Sequence, residues 1–481
     1  MNRPLRHVWL VVALLFALLF GSTTYFQVID QDRLNADPRN VRTVYNEFGR
    51  HRGTIVVDGE PIASSSESDD SYGYQRTYQQ GAMYAPITGY YSVVYGFTGL
   101  ERSMNETLSG EADSLFYQRV LDTISGRPPS GANVELTIDA NAQKKAWDAL
   151  DGRRGAVVAL DPHTGAILAM VSSPSYDPNR LATHNRKDAA KAWTELNDDP
   201  QRPLSNRAIA GNQYPPGSTF KLIVAAAALE SGRYEPGTKI PGPGTYKLPL
   251  STSVMNNHAG GDTTPCGPGD ASSLADALRQ SCNTSFALLG QELGADALQK
   301  TATDFGFGQK LSIPLRVTPS SIASDMDAAQ LATTSIGQYE TKVTPLEMAM
   351  VAGAIASDGA VMQPQLVQSV RTRDLSEIDR LTPKELNRPL TAANAEAMRS
   401  MMQGVVTDGT GKAAVIDGVD VGGKTGTAQW ATGKAPHSWF VGYARAGDRS
   451  VAVAVIVEEG GYGSRVAAPI AKDVMEAVIR G

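Results

Sequence analysis

A serine at position 218 and a lysine at 221 stand where YPPGSTFK (214–221) gives way to the apolar, alanine-rich run LIVAAAALESG. Two prolines and a glycine halt the chain, and a helix should begin at the serine. Serine is among the commonest helix N-caps, so capping alone can explain Ser218. The other reading is a nucleophile, because a spacing of three puts Ser218 and Lys221 on one helical face. A hydroxyl attacks well only when a neighbour takes its proton. A lysine can take it only if burial or a nearby cation lowers its pKa. Such chemistry therefore needs a second cation and groups to receive a substrate anion. The chain supplies Lys424, Thr425, Gly426 and Thr427, its only KTG, and Ser281-Cys282-Asn283 at a helix junction. A second S-x-N, at Ser103 and Asn105, reads as a chance match. Taken singly, Ser218 and Asn283 can be caps and KTG an ordinary strand entry. SxxK alone is also weak, since about one arises by chance in a chain this long.

Bringing three distant segments together demands particular elements. VELTID from Val134 alternates like a strand, and NAQKKAWDAL reads as a helix. GAVVALD and GAILAMVSS flank PHTG and predict a β-hairpin with Gly165 in its turn. Helices are expected over 219–231, over roughly 272–281 and from Asn283. GGKTGTAQW, SWFVGYAR and SVAVAVIVEE read as successive antiparallel strands, and IAKDVMEAVIR closes as a helix. Strands at both ends with helices between predict an α+β fold, an antiparallel sheet flanked by helices plus a helical subdomain.

The 481 residues suffice for one large domain and a smaller one. A formal charge of −6 and no dense Lys/Arg block argue against nucleic acid as the partner. HExxH, CxxC and a glycine-rich P-loop are all missing, so no metal or nucleotide cofactor is expected.

Arg3 and Arg6 precede residues 8–29, which carry no charge, and Asp30 and Asp32 follow. That length roughly matches a ~30 Å hydrocarbon core. The charge asymmetry makes 1–7 a cytoplasmic tail, 8–29 a single transmembrane anchor, and the remainder extracytoplasmic. A cleaved signal peptide is the alternative, against which stand the long apolar run and the missing A-x-A site. Residues 30–130 are polar and broken, and are expected to form an N-terminal pedestal or interaction module. Within them ASSSESDDSYGYQ (63–75) reads as an exposed loop, and SGRPPSGAN (125–133) as a linker into a catalytic domain over 131–481. Cys266 and Cys282 either form a disulfide, worth about 3 kcal/mol for so short a loop, or remain unlinked small hydrophobes.

SxxK, then SxN, then KTG is the signature order of penicillin-binding proteins and class A β-lactamases. NRAIAGNQYPPGSTFK, SIGQYETKVTPLEMA, GVVTDGTGKAA, GGKTGTAQ and SWFVGYA resemble the transpeptidase domain of class B penicillin-binding proteins. HRGTIVVDGEPIA and GFTGLERSMNETLSG resemble the short N-terminal region of that class, and the chain is similar in length and layout to its actinobacterial members. The resemblance implies a serine β-lactamase/transpeptidase-like fold and a set of roles. Ser218 would attack the carbonyl between the terminal D-alanines of a peptidoglycan stem peptide, with Lys221 accepting its proton, although which base acts is disputed in this superfamily. Ser281 would pass a proton to the leaving amine, and Lys424 would keep the site poised. Asn283 would hold the substrate amide, and Thr425 and Thr427 its terminal carboxylate. Gly426 would let the substrate backbone lie close, and the N–H groups of Ser218 and Thr427 would form the oxyanion hole. Cys282 departs from the familiar Asp of the motif.

Three reactions share these residues: transpeptidation, carboxypeptidation and β-lactam hydrolysis. The ExxLN pattern of a class A deacylating glutamate is missing, so β-lactams are expected to acylate Ser218 and stay. The wider resemblance and the anchor favour a monofunctional transpeptidase in cell division or wall synthesis, partnered by stem peptides, the membrane and other wall-synthesis proteins. A D,D-carboxypeptidase and a non-catalytic division scaffold are the alternatives. A Ser-His-Asp hydrolase fits poorly, since no GxSxG surrounds these residues.

Overall fold

The run RSVAVAVIV has no polar face, so as a strand it needs cover on both sides. The protein, here a computed structural model describing residues 3–30, 48–126, 130–211, 213–257, 261–311 and 313–481, provides it. Five strands, β1 (Gly155–Leu160), β2 (Ile167–Ser173), β3 (Asp420–Ala428), β4 (His437–Ala446) and β5 (Arg449–Val457), form one sheet. Their order is β3-β4-β5-β1-β2, antiparallel throughout, as the sequence leads one to expect. Val451, Val453 and Val455 enter one core with the helices Ala140–Leu150 and Ala467–Arg480. Ala452, Ala454 and Ile456 enter the other, with the helices Lys221–Glu230 and Pro345–Ala356. The helices Leu274–Gln280, Asn283–Leu293 and Ala392–Asp408 also contribute to this second core. β3 is therefore an edge strand, open toward that helical region.

A six-stranded sheet joins residues on both sides of position 130. It runs Glu377–Arg380, Val367–Arg371, Asn133–Leu136, Ile55–Val57, Glu60–Glu67 and Tyr74–Tyr78. The small module and the large domain thus share hydrogen bonds across the expected boundary. The expected loop at 63–75 is instead a hairpin, with Ala63 opposite Tyr78 and Glu67 opposite Tyr74. Its serines are tolerated because the strand is only partly covered there. Of the expected linker, 127–129 lie outside the described residues; Ser130 already bridges to His51, and a strand starts at Asn133. In this module Glu101 is fully buried between Arg52 and Arg76, at 2.6 and 2.7 Å. Asn105 of the second S-x-N accepts a hydrogen bond from Arg52 and so belongs to this structural network.

The helix Arg3–Thr24 and the π-turn Tyr25–Ile29 expose their apolar side chains, and Pro4–Ile29 is long and apolar enough to cross a membrane. Cys266 and Cys282 form a disulfide with Cα atoms 6.0 Å apart, which decides between the two readings of the pair. The bond fastens the 266 segment to the junction between two helices at Ser281.

Candidate active site

Ser218 sits in a 3-10 turn, Gly217–Phe220, that runs into the helix Lys221–Glu230. No side-chain capping bond forms at either helix start, so Ser218 is not acting as a cap. Gly217 has φ +54°, and a Cβ there would meet Ala428 Cβ at 3.0 Å and Thr427 O at 3.2 Å. On the other side its N–H donates to Gly337 O at 2.9 Å. The serine turn is thus held between the end of β3 and the 333–338 segment, with Ser218 half-buried at the mouth of a cavity of about 700 Å³.

Lys221 and Lys424 are both fully buried and both reach Ser281. Lys424 Nζ donates to Ser281 Oγ at 2.7 Å and to Thr425 O at 2.9 Å. Lys221 Nζ donates to Ser281 O at 2.7 Å, to Asn283 Oδ1 at 2.7 Å and, more weakly, to Ser281 Oγ at 3.4 Å. Among the described residues no hydrogen bond joins Lys221 to Ser218 Oγ. In the resting geometry the lysine rests on the S-x-N junction, although helical spacing keeps it on the serine's face. Asn283 opens its helix but caps nothing: its Nδ2 donates to Asn256 O and its Oδ1 receives Lys221.

Ser281 is the meeting point because of its backbone. As the C-cap of Leu274–Gln280 it adopts φ +64°, a left-handed conformation that costs a non-glycine residue roughly 1–2 kcal/mol. That conformation offers both its carbonyl and its hydroxyl to the lysines.

Burial penalises both ammonium groups. Lys424 is pushed down to about 7 by desolvation. Lys221 is held well below the usual lysine range, first by desolvation and then by the charge of Lys424. Both shifts favour the unprotonated amine, the form in which a lysine can act as a general base.

Thr425 and Thr427 project from β3 into the cavity. Thr425 Oγ1 shares a 2.7 Å hydrogen bond with Thr410 Oγ1, while Thr427 Oγ1 has no partner among the described residues. Gly426 packs against the serine turn. A Cβ on it would meet Trp439 Cβ at 2.8 Å, Thr219 Cγ2 at 3.0 Å and Pro216 O at 3.1 Å, away from the cavity. Glycine at 426 therefore lets the serine turn approach the strand. Thr410 was given no role from sequence; its setting between Gly409 and Gly411, in GVVTDGTGKAA, was the available signal. The cavity lining carries no carboxylate among the described residues.

A family model described as the penicillin binding protein transpeptidase domain matches residues 155–476, and one described as the penicillin binding protein A dimerisation domain matches 52–134. The chain is 44% identical over 494 residues to the peptidoglycan D,D-transpeptidase PbpA of Mycolicibacterium smegmatis, covering 100% of this chain and 99% of that one. It is 42% identical to PbpA of Mycobacterium tuberculosis, with both chains covered in full. The ceftriaxone acyl-enzyme complex of M. tuberculosis penicillin-binding protein A matches with a TM-score of 0.86 at 40% identity, over 90% of this chain and 100% of that one. The penicillin G acyl-enzyme complex matches at 0.84 and 41%, over 89% and 100%.

Proposed function

The chain belongs to the penicillin-binding protein transpeptidase family, and from that membership we infer a membrane-anchored peptidoglycan D,D-transpeptidase that works through a serine acyl-enzyme and is acylated by β-lactams. Ser218 Oγ attacks the carbonyl of the penultimate D-alanine while Lys221, in an unprotonated form that its burial favours, takes the hydroxyl proton. Negative charge on the tetrahedral oxygen falls to the N–H groups of Ser218 and Thr427. Ser281 relays a proton to the departing amine of the terminal D-alanine, with Lys424 behind it. Lys424, Thr425 and Thr427 hold the terminal carboxylate, and Asn283 holds the donor's amide. An amine of a second stem peptide then attacks the ester, and Ser218 recovers its proton.

One observation carries this assignment: two buried lysines from segments about 200 residues apart converge on the Ser281 hydroxyl beside the Ser218 turn. The lack of a carboxylate in the cavity lining supports a long-lived β-lactam adduct, since no acid there would activate water. The N-terminal arginines and following aspartate support a single pass with the N-terminus inside and the catalytic domain outside. The apolar face of the helix Phe116–Ile124, with Tyr117 82% and Ile124 79% exposed, supports contact with another wall-synthesis protein, in division or wall growth.

Capture with a fluorescent penicillin, followed by peptide mass analysis, tests the chemistry. The expected label lies on the peptide containing Ser218 and disappears in Ser218→Ala; a label elsewhere overturns the assignment. Supplying a donor peptide with an amine acceptor should yield the cross-linked product. Hydrolysed donor alone would make the enzyme a carboxypeptidase.

A further inference from the structure

A second cavity, of about 430 Å³, adjoins the first and belongs to none of the three motifs. No residue lines both, but their linings come from neighbouring positions of the same segments. Pro215 lines the second cavity three residues before Ser218, so their Cα atoms lie within roughly 10 Å of each other. Thr427 and Gln429 line the first cavity and Trp430 the second; Pro436 lines the first and His437 the second. A peptide whose terminal carboxylate lies at Thr425, and which runs along β3 past Thr427, reaches the 429–430 segment that borders the second cavity.

The second cavity is built for an anion. Arg154 and Lys342 both line it. Glu458 is the one acid in the lining, and it already pairs with Arg154 and with Arg207 Nε at 2.8 Å, and accepts from Tyr214 Oη at 2.8 Å. Its charge is thus matched by two guanidinium groups before Lys342 is counted. Lys342 is exposed and makes no ion pair among the described residues. Arg154 Nε is sealed from solvent without a hydrogen-bond partner among them. Trp430, 44% exposed, stacks on His437 at 5.4 Å and 7° between planes, and its Nε1 is tied to Ala435 O at 3.1 Å. His437 Nδ1 accepts from Glu459 N–H, which keeps the ring fixed beneath the indole. An aromatic floor beside two cations suits a carboxylate carried on a flat peptide backbone.

We propose that this cavity is a specificity subsite that binds a carboxylate of the donor stem peptide upstream of its terminal dipeptide, through Arg154 and Lys342, with the adjoining backbone lying on Trp430. The subsite rests on the transpeptidase assignment for the direction in which the donor lies, but its binding is measurable without turnover.

The test uses the full chain carrying Ser218→Ala, which cannot be acylated, and two synthetic stem peptides that differ only in a free carboxylate or a carboxamide at the upstream position. Calorimetry should find the carboxylate peptide bound roughly tenfold more tightly, with the preference lost in Lys342→Gln and in Arg154→Gln. Lys342 makes no ion pair among the described residues, so its replacement is not expected to disturb folding. In chains that keep Ser218, acylation by benzylpenicillin, which carries no upstream carboxylate, should stay within about twofold for Lys342→Gln. Equal affinity for the two peptides in the parent, or a preference that survives both substitutions, overturns the subsite. Failure of penicillin to acylate the Ser218 chain would instead sink the transpeptidase assignment, and the peptide affinities would still decide the subsite.

Discussion

Replacing Lys424 with methionine separates two jobs this residue can do. Both lysines end on the Ser281 hydroxyl, so their nitrogens lie within about 6 Å of each other. At an effective dielectric of about 20, two unit charges at that distance repel by roughly 3 kcal/mol, or about 2 pKa units. Neither group is exposed, so solvent does little to weaken this. Burial comes first and Lys424 second in holding Lys221 down. Removing the neighbouring cation lets Lys221 keep its proton to higher pH, and the acid limb of the acylation profile moves upward. Lys424 itself titrates at about 7, so its charge acts on Lys221 only below that pH. The deficit of Lys424→Met should therefore be largest near pH 5–6, up to about a hundredfold from protonation alone, and should shrink above about pH 8. The two groups titrate as a pair, so the shift is read from the whole profile. The assay is the second-order rate constant for a fluorescent penicillin across that range, for the native chain and the variant. A deficit of equal size at every pH would refute the electrostatic argument and leave Lys424 as a carboxylate-binding group alone.

Gly426→Ala would press a methyl against Trp439, Thr219 and Pro216 at 2.8–3.1 Å, overpacking worth about 1–3 kcal/mol, and displace the serine turn. Acylation should slow at least roughly tenfold in a chain that still folds by circular dichroism; an unchanged rate would show that the turn's approach to β3 is unimportant. Replacing Cys266 and Cys282 together by serine should lower stability by about 3 kcal/mol in denaturant titration, and the native chain should yield thiols only after reduction. Glu347 is fully buried, with Oε2 accepting from Ser320 N and Oε1 unpartnered among the described residues, and burial raises its carboxyl to about 7. Because that lies above the ordinary 4.5, stability should fall as pH rises from 4.5 toward 7, and Glu347→Gln should flatten the slope in unfolding measured across that window. A slope that persists in the variant would place its origin elsewhere.

What could be read from the sequence was whatever depends on local spacing. The Ser218–Lys221 interval, the hairpin of β1 and β2 and the alternation of VAVAVIV each state their geometry within about twenty residues. What could not be read depends on partners far along the chain. Val367–Arg371 pairs with Asn133–Leu136, more than 200 residues away, and no local pattern in either strand names the other. The serines of ASSSESDD imitate a loop because hydroxyl side chains suit both turns and partly covered strands. The packing of Gly426 on the serine turn is likewise hidden in the sequence, because the side of a strand on which a missing side chain would stand follows from register. Arg154, Lys342 and Trp430 come from three separate segments, and only folding makes them neighbours.

Several local rules of stable folding are broken together around Ser218, and their convergence on one cavity supports chemistry there. Two ammonium groups are buried, Ser281 takes a left-handed backbone, and Gly217 and Gly337 carry positive φ where their backbones meet. The buried ammonium groups and the left-handed Ser281 each cost folding free energy. The compensation lies nearby: a sheet covered on both faces and a disulfide fixed directly beside Ser281. The three polar groups also depend on one another. Lys221 needs the acceptors of Ser281 and Asn283, Ser281 needs a donor for its hydroxyl, and Lys424 lowers the proton affinity of Lys221. Losses from removing any two of them should therefore overlap rather than add, as they do for groups that act as one unit.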